Sequence, residues 1–380
     1  MPVPVPEFTI GIEEEYLLVD RQSRNLVSDP PRTIMEACTA KLGDRVAPEF
    51  MRSQMEIGTS PATTVSAAKD ELKMLRATLA EEAEKEGLAL IASSTHPFGS
   101  WRDQIPTDKD RYEALAKDMA AVLRHLLIGG MHVHVGIHDQ DLRIDLMSQV
   151  TYFIPHLLAL STSSPFFDGE DTGMQSYRKS VFKAMPRTGL PPQRFETWSG
   201  YRRHVDALVR PGVIEDATKI WWEIRPSDRY PTLEFRASDV CPRVDDSVAV
   251  ASLFLCLLRM LWRQRVDNQR WRLYDNFLIE ENLWRAQRYP IEELRLIDFG
   301  AGETKPFQEL TDEILELVAP DAEALGVVDD VARVAEIAAR GTSADRQRRT
   351  YLDSFDASGN SQAAFAAVVD QLIDETVTGL

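Results

Sequence analysis

Four short stretches of this chain place acidic, imidazole or guanidinium side chains on alternate residues, with apolar residues between them. The stretches are Phe8–Val19, Ser53–Thr59, Met131–His138 and Thr232–Val240. Because side chains two residues apart in a β-strand face the same side of a sheet, each stretch predicts a strand with one apolar and one polar face. If the strands share one sheet, its apolar face packs on helices and its polar face is a wall of carboxylates, imidazoles and guanidinium. A wall of Glu and His with so little Lys indicates bound cations.

The alternation assigns a defined set of side chains to this polar wall. They are Glu13, Glu15, Gln54, Glu56, His132, His134, His138, Glu234 and Arg236. Glu14 is an exception, because it falls on the apolar side of its own pattern. Two carboxylates about 7 Å apart along a strand, such as Glu13 and Glu15, repel each other unless a cation lies between them. Oxygen ligands of this kind suit Mg²⁺ or Mn²⁺, and the alternative is a solvated edge strand with three acidic residues.

The histidines of the third stretch allow two kinds of metal site. A His-x-His pair on a strand, here His132 and His134, can present two imidazoles to one zinc ion. We favour a mixed Glu/His site for Mg²⁺ or Mn²⁺, because the other candidates on the polar face are carboxylates. His132 is predicted to be a ligand, and His138 is predicted to lie outside the site.

Arginines supply the candidate anion clamps. Glu234 and Arg236 alternate on the fourth stretch, which predicts that Glu234 holds metal and Arg236 holds a phosphate or carboxylate. The alternative is a salt bridge between them that contributes little. Arg178 is a second candidate clamp; it lies in Ser163–Pro192, a long segment whose aromatic residues predict an ordered, functional loop.

The order of strand and helix patterns predicts an α/β sandwich with helices on one face of the sheet. Helical spacing predicts helices at Thr63–Glu86, ended by Gly87, at Arg111–Ile128, and at Asp141–Leu160, with a bend at Pro155. Four further helices are predicted towards the end of the chain, at Asp245–Trp271, Pro306–Val318, Val327–Arg340 and Gln362–Ile373. We expect one domain over residues 1–380, with a mixed catalytic core at 1–244 and a mainly helical layer of the same domain at 245–380.

Charge and composition exclude several classes of protein. The formal net charge of −17 argues against nucleic acid or an anionic membrane as the main partner, although a local basic cluster or a bound metal still permits ATP. Three cysteines without a CxxC pair, no signal-peptide pattern and no apolar run long enough to span a bilayer predict a cytoplasmic protein. The motifs GxxxxGK[ST], GxGxxG, HExxH and GxSxG are absent.

Seven motifs follow one another along the chain in a specific order. They are Gly11–Asp20, Ser53–Pro61, Ser93–Phe98, Gly129–Ile137, Ser163–Arg178, Leu233–Pro242 and Glu281–Pro290. Together they resemble the YbdK-type carboxylate–amine ligases, also called glutamate–cysteine ligase type 2, a branch of the glutamine synthetase-like superfamily. The resemblance runs from about Phe8 to about Pro290, and more loosely to the end of the chain.

This resemblance implies a fold and a reaction. The fold is a curved, mostly antiparallel sheet that forms a funnel, with helices packed on its outer face and a helical C-terminal layer. The implied enzyme uses ATP and Mg²⁺ or Mn²⁺ to convert a carboxylate into an acyl phosphate, which an amine then attacks to give an amide. The default substrates are L-glutamate and L-cysteine, and the resemblance suggests a homodimer or larger homo-oligomer acting on small molecules.

The resemblance also implies roles for individual residues. Metal ligands would be Glu13, Glu15, Glu56, His132 and Glu234, with Glu49 as a further acidic group. Arg236 would stabilise the transferring phosphoryl group, and Arg178 would contact nucleotide or substrate. Substrate or nucleotide would also be bound by His134, Arg285 and Arg288.

Two other functions use the same polar wall. A metal-dependent amide or phosphoester hydrolase would replace the amine by water and would not need ATP. A non-catalytic nucleotide or metal sensor would bind ATP without turnover. The ligase is favoured because the acidic set is complete and the seven motifs occur in order.

Overall fold

The computed structural model describes residues 5–108 and 125–380, and a sheet lies at the centre of this part of the chain. The described strands are β1 Ile10–Asp20, β2 Val46–Pro48, β3 Gln54–Gly58, β4 Leu88–Ile91, β5 Met131–Gly136, β6 Phe166–Phe167, β7 Glu170–Asp171, β8 Thr188–Gly189, β9 Trp221–Trp222, β10 Ile224–Pro226, β11 Thr232–Phe235, β12 Arg295–Asp298 and β13 Glu303–Pro306. The central antiparallel sheet has the order β10–β11–β5–β1–β3–β2, and β4 also pairs with β1.

The pairing register brings the predicted polar side chains onto one face of the sheet. Glu15 lies opposite Glu56, Glu13 lies opposite His132, and His134 lies opposite Glu234. On the other face, the alternate residues of the same strands belong to one buried apolar core. They include Ile10, Ile12, Tyr16, Leu18, Met55, Ile57, Met131, Val133, Val135, Leu233 and Phe235. The predicted antiparallel sheet with an apolar, helix-packed face is confirmed.

Helices form most of the remaining described structure. They are α1 Arg32–Leu42, α2 Val65–Lys85, α3 Gln140–Val150, α4 Ile154–Ser161, α5 Tyr177–Phe182, α6 Trp198–Val209, α7 Val244–Val266, α8 Asn276–Arg288, α9 Phe307–Leu325, α10 Val328–Arg340, α11 Ser343–Ser358 and α12 Ser361–Val377. In α2, the Thr64 hydroxyl caps the N-terminus by accepting a bond from the Ala67 amide, and Gly87 follows the helix with a φ of +73°. None of the described helices combines the length and apolar character needed to cross a lipid bilayer.

Two predicted helices differ from the structure or lie largely outside the described residues. The helix predicted at Asp141–Leu160 is not one bent helix but two, α3 and α4, joined by the 3₁₀ turn Thr151–Phe153. Pro155 lies in the first turn of α4, where its missing amide costs no helical hydrogen bond. The helix predicted at Arg111–Ile128 lies mostly outside the described residues, and its described part, 125–128, is not helical.

The C-terminal part of the chain is largely helical, as predicted, and it shares its core with the sheet. The four predicted helices correspond to α7, α9, α10 and α12, whereas α8, α11 and the β12–β13 hairpin were not predicted. Helix α12 covers the cavity face of the sheet near β4, where Leu17 and Val19 replace the polar residues and pack with Val368 and Leu372. Helices therefore pack on both faces of the central sheet, rather than on one face as predicted. The single domain over residues 1–380 stays a prediction.

A buried ion pair explains why Glu14 interrupts the apolar pattern of β1. Glu14 and Arg76 are both 0% exposed, and the Arg76 Nη2 atom lies 2.7 Å from the Glu14 Oε2 atom. Arg76 also donates to the carbonyl of Cys241, and the Ser247 hydroxyl donates to Glu14. The pair thus joins β1 to α2 and to the start of α7.

We expect Glu14→Gln to lower the free energy of unfolding by about 3–5 kcal/mol, because it leaves the Arg76 charge buried without its partner. The Glu14→Gln/Arg76→Met double variant should recover part of this loss. Urea unfolding followed by tryptophan fluorescence measures the effect. Equal stabilities of wild type and Glu14→Gln would show that the pair does not stabilise the fold.

A second charged cluster, centred on Glu375, holds helix α12 in place. Glu375 of α12 accepts two hydrogen bonds of 2.8 Å from Arg346 of α11 and one of 3.0 Å from Arg243. Burial acts to raise the pKa of Glu375, but the two guanidinium groups outweigh it and lower the pKa below the usual value for glutamate. The cluster therefore holds α12 against α11 and the segment that precedes α7.

The pH dependence of this cluster has a defined sign. Because the pKa of Glu375 is lower in the folded chain, its stabilisation is complete above the unfolded value of about 4.3 and is lost as the pH falls through the folded value. We expect Glu375→Gln to destabilise the protein by about 1.5–3 kcal/mol at pH 7, the range for hydrogen bonds to charged groups. Denaturant titrations at pH 7 and pH 4 should show a smaller difference at pH 4, and a difference independent of pH would contradict this assignment.

Candidate active site

The polar face of the central sheet lines a cavity of about 470 Å³. The lining includes every metal ligand predicted from the sequence, together with His134, Arg178 and Arg236. These metal ligands are Glu13, Glu15, Glu49, Glu56, His132 and Glu234. The alternating pattern of four distant stretches therefore converges on one site, which we call the acidic cavity.

Three strands bring one set of candidate metal ligands together. Glu13 of β1, His132 of β5 and Glu234 of β11 each offer a ligand atom, and these three atoms lie within 4.8 Å of one another. His132 and Glu234 are buried, and the His132 Nδ1 atom lies 3.1 Å from the Glu13 Oε2 atom. Two carboxylates and an imidazole suit Mn²⁺ or Mg²⁺, and the set also has donors that zinc accepts.

The protonation states of this set favour metal binding. Burial and the positive charge of Arg236 lower the pKa of His132 to about 4, so its imidazole is neutral at pH 7. Burial acts to raise the pKa of Glu13, but hydrogen bonds to His132 and His134 outweigh it and lower the pKa well below its usual value. The pKa of Glu234 is also lowered, because Arg236 and Arg225 outweigh the effect of burial. All three side chains therefore carry free electron pairs at neutral pH.

A second acidic set lies beside the first and has too few countercharges. Burial and the nearby carboxylate of Glu49 raise the pKa of Glu15 to about 7. Burial, Glu49, Glu13 and Glu15 raise the pKa of Glu56 well above its usual value. Carboxylates that disfavour one another's ionisation are stabilised when a cation binds between them. Glu15, Glu49 and Glu56 therefore supply further carboxylates beside the Glu13–His132–Glu234 set, whose ligand atoms lie within 4.8 Å of one another.

Arginines form the other electrostatic element of the cavity. Arg225 Nε donates to Glu234 at 2.8 Å, and Arg236 pairs with the same carboxylate. The buried Nε atom of Arg236 has no hydrogen-bond partner in the described part of the chain. Among the described residues, the guanidinium of Arg178 donates to the carbonyls of Arg236 and Ala237, at 3.3 and 3.4 Å. Arg236 and Arg178 thus retain donors for an anionic ligand.

Sequence reasoning missed Arg225, which lines the cavity and faces Glu234 across the β10–β11 pair. Its strand is only three residues long, so no extended alternation marks it. Glu223 and Arg225 do alternate with apolar neighbours, as Glu234 and Arg236 do, and this repeated acid-x-Arg pattern is the signal that could have identified it.

Two predicted binding residues lie elsewhere. Arg285 and Arg288 are on α8 and do not line the cavity. Arg285 donates to the Arg295 carbonyl, and the guanidinium of Arg288 lies 5.6 Å from the ring of Tyr289. His138 is exposed beyond the end of β5 and also lies outside the cavity, as predicted.

His134 lines the cavity and is held from both sides. Its Nδ1 atom lies 3.0 Å from the Thr232 hydroxyl, and its Nε2 atom lies 3.4 Å from the Glu13 Oε1 atom. Burial acts to lower the pKa of His134, but Glu13 and Glu234 outweigh it and raise the pKa. The pKa of His134 is therefore shifted in the opposite direction to that of His132.

The fold is that of the glutamine synthetase-like ligases. Glutamate–cysteine ligase from Francisella tularensis, solved in complex with AMP, matches with a TM-score of 0.67 and 14% sequence identity, over 99% of this chain and 93% of that chain. A bifunctional glutathione synthetase from Pasteurella multocida matches with a TM-score of 0.68 and 15% identity, over 97% of this chain and 52% of that chain. This chain thus spans about half the length of the bifunctional protein.

The sequence comparisons define the family. The model of glutamate–cysteine ligase family 2 matches residues 9–371. A Rhodospirillum rubrum relative named "putative glutamate–cysteine ligase 2" is 55% identical over 379 residues, covering 99% of this chain and 97% of the relative. A relative of the same name from Jannaschia sp. is 52% identical over 368 residues, covering 97% of this chain and 96% of the relative. This chain belongs to glutamate–cysteine ligase family 2, which confirms the resemblance seen in the motifs.

The Glu13–His132–Glu234 set makes a direct prediction about metal binding. His132→Ala should weaken Mn²⁺ binding about 10-fold or more, because it removes a buried nitrogen donor from the set. His138→Ala is the matched control, since it removes an exposed histidine outside the cavity. Electron paramagnetic resonance of free Mn²⁺ during titration measures both affinities. Equal affinity in wild type and His132→Ala would exclude His132 as a ligand.

Proposed function

We propose that this chain is an ATP-dependent carboxylate–amine ligase that forms an amide through an acyl phosphate. The observation that supports this most strongly is the composition of the acidic cavity, where two carboxylate-rich sets lie beside arginines that retain free donors. L-Glutamate and L-cysteine are the proposed default substrates, and ADP, phosphate and γ-glutamylcysteine are the corresponding products. Membership of glutamate–cysteine ligase family 2 supports this choice.

The proposed reaction has two steps. The substrate carboxylate attacks the γ-phosphorus of ATP, which forms the acyl phosphate and releases ADP. The amine then attacks the acyl carbon, which forms the amide and releases phosphate. Both steps need charge neutralisation and positioning rather than a protein nucleophile.

The acidic side chains would hold the divalent cations. Glu13, His132 and Glu234 would form one site, and Glu15, Glu56 and Glu49 would supply further carboxylates. Bound Mg²⁺ or Mn²⁺ would neutralise part of the charge of the ATP phosphates. The raised pKa values of Glu15 and Glu56 support this assignment, because they show carboxylates held together without enough positive charge.

The arginines would contact the reacting groups. Arg236 lies beside Glu234 and keeps a buried Nε donor, so it is suited to the transferring phosphoryl group. Arg178 makes no ion pair with a carboxylate among the described residues, so its charge is available to a substrate carboxylate or a nucleotide phosphate. A planar guanidinium can donate two hydrogen bonds to either group.

The experiment that tests the proposal is a coupled assay of ADP release with Mg²⁺ or Mn²⁺. Glutamate is tested with and without cysteine, followed by a panel of other carboxylates and amines. We expect ADP release to need both a carboxylate and an amine. Glu56→Gln should reduce the rate about 100-fold or more, because it removes a carboxylate that would hold a cation at the reacting phosphates. Glu280→Gln is the matched control, since Glu280 is exposed on α8 outside the cavity.

Other outcomes would favour other functions. Full activity in both Glu56→Gln and His132→Ala would overturn the ligase assignment to this cavity. Turnover of an amide or phosphoester without ATP would indicate the hydrolase. Tight binding of ATP without turnover against a broad panel of amines would indicate the sensor.

A further inference from the structure

Three of the seven motifs contribute buried polar residues to one point behind the acidic cavity, and the proposed reaction gives these residues no role. The motifs are Ser93–Phe98, Ser163–Arg178 and Leu233–Pro242. The residues that meet there are Ser93, Ser94, Ser163, Ser164, Ser176 and Asp239, and all six are 0% exposed. Asp239 does not line the cavity. A fully buried carboxylate must be compensated by hydrogen bonds or a countercharge, since burial of an unpaired charge is unfavourable.

The hydrogen bonds of Asp239 tie Ser163 and Ser164 to Ser176, two residues before Arg178. The Asp239 Oδ2 atom accepts from the Ser163 amide at 2.9 Å and from the Ser164 hydroxyl at 2.7 Å. The Oδ1 atom accepts from the Ser176 hydroxyl at 2.8 Å. One carboxylate therefore closes the segment Ser163–Ser176, whose ends are thirteen residues apart in sequence.

Ser164 connects Asp239 to the backbone of Arg178 by hydrogen bonds. Its hydroxyl donates to Asp239 and accepts a bond of 3.2 Å from the Arg178 amide. The Ser164 carbonyl also accepts from the amide of Tyr177, so the backbone on entry to α5 is fixed at two successive residues. The backbone of Arg178 is thus tied to a buried carboxylate that lies outside the cavity.

The guanidinium of Arg178 is confined by Gly130 on the opposite side. A Cβ atom at Gly130 would lie 2.4 Å from the Arg178 Nη2 atom and 2.8 Å from its Cζ atom. The same cluster reaches the residue before this glycine, because the Gly129 amide donates to the Ser94 carbonyl at 2.9 Å and the Ser94 amide donates to the Ser163 hydroxyl at 3.1 Å. The Gly130 amide itself donates to the Glu15 carboxylate at 2.8 Å. The cluster therefore fixes the backbone from which the Arg178 side chain extends, and it contacts the residue next to the glycine against which the guanidinium lies.

We infer that Asp239 is a positioning residue that holds Arg178 in the acidic cavity through Ser164 and Ser176; the kinetic part of this inference rests on the proposed function. Asp239 acts through the arginine and has no contact with the substrates. Burial raises the pKa of Asp239, and the nearby Arg178 guanidinium, which has no carboxylate in ion-pair contact among the described residues, acts against that rise. Loss of the carboxylate should displace Arg178 without removing any group that contacts substrate.

A double-mutant cycle tests whether Asp239 acts through Arg178. Asp239→Asn should lower kcat/KM for ADP release about 10- to 100-fold, the effect expected of a misplaced contact group. In the Arg178→Ala background the same substitution should have almost no further effect, because the residue it positions is gone. Ser176→Ala, which removes one hydroxyl from the cluster, keeps the test decisive if Asp239→Asn does not fold. Independent, additive losses would overturn the inference.

Ser238→Ala is the matched control for both variants. Ser238 precedes Asp239 and is equally buried, but its hydroxyl has no hydrogen-bond partner in the described part of the chain. The control variant should retain the wild-type kcat/KM. A loss equal to that of Asp239→Asn would show that the effect is general to this buried segment and would overturn the inference.

A measurement without turnover separates this inference from the proposed function. Phenylglyoxal modifies arginine, and peptide mass spectrometry gives the rate at Arg178 and, as an internal reference, at Arg225. Asp239→Asn should change the rate at Arg178 several-fold with little change at Arg225, whereas Ser238→Ala should change neither. Unchanged labelling of Arg178 would overturn the inference even in an active ligase. A changed rate in a protein without ligase activity would uphold the placement of Arg178 while the proposed function failed.

Discussion

The structure depends on how one strand, β1, carries acidic side chains on both of its faces. Glu13 and Glu15 face the acidic cavity, while Glu14 between them points into the apolar core without any exposure to solvent. A carboxylate buried there alone would be strongly unfavourable, and Arg76 of α2 supplies its countercharge at 2.7 Å. The ion pair fixes β1 against α2, and the two carboxylates on the other face are thereby held at the floor of the cavity.

The cavity face of the sheet shows the opposite balance of charge. Glu15 and Glu56 lie directly across from each other, and Glu49 adds a third carboxylate close enough to raise their pKa values. The apolar core on the other side of the same strands offsets this repulsion. That core is continuous from β1 to the C-terminal helices. Local unfavourable interactions of this kind are typical of functional sites, where the rest of the fold compensates for them.

The sequence predicted the two faces of the sheet well, because strand geometry ties side-chain direction to residue parity. It did not predict the register, which depends on loops and brought Arg225 opposite Glu234. The sequence also did not predict that α12 packs on the cavity face. Leu17 and Val19 are apolar, but their pattern contains no information on which helix packs against them. Arg285 and Arg288 were placed by motif alone, and motif order carries no information on distance; both lie outside the cavity.

The wide spacing of the ligands along the chain has a consequence for how the protein is made. His132 follows Glu13 by 119 residues, and Glu234 comes from the strand that pairs with the far edge of β5. Because synthesis proceeds from the N-terminus, β1 and β5 emerge long before β11, and until then the edge of β5 presents unpaired backbone groups. Non-local strand pairing of this kind folds slowly. The acidic cavity is therefore among the last parts of the sheet to be completed, and a nascent chain that stops short of β11 has an open sheet edge and no complete ligand set.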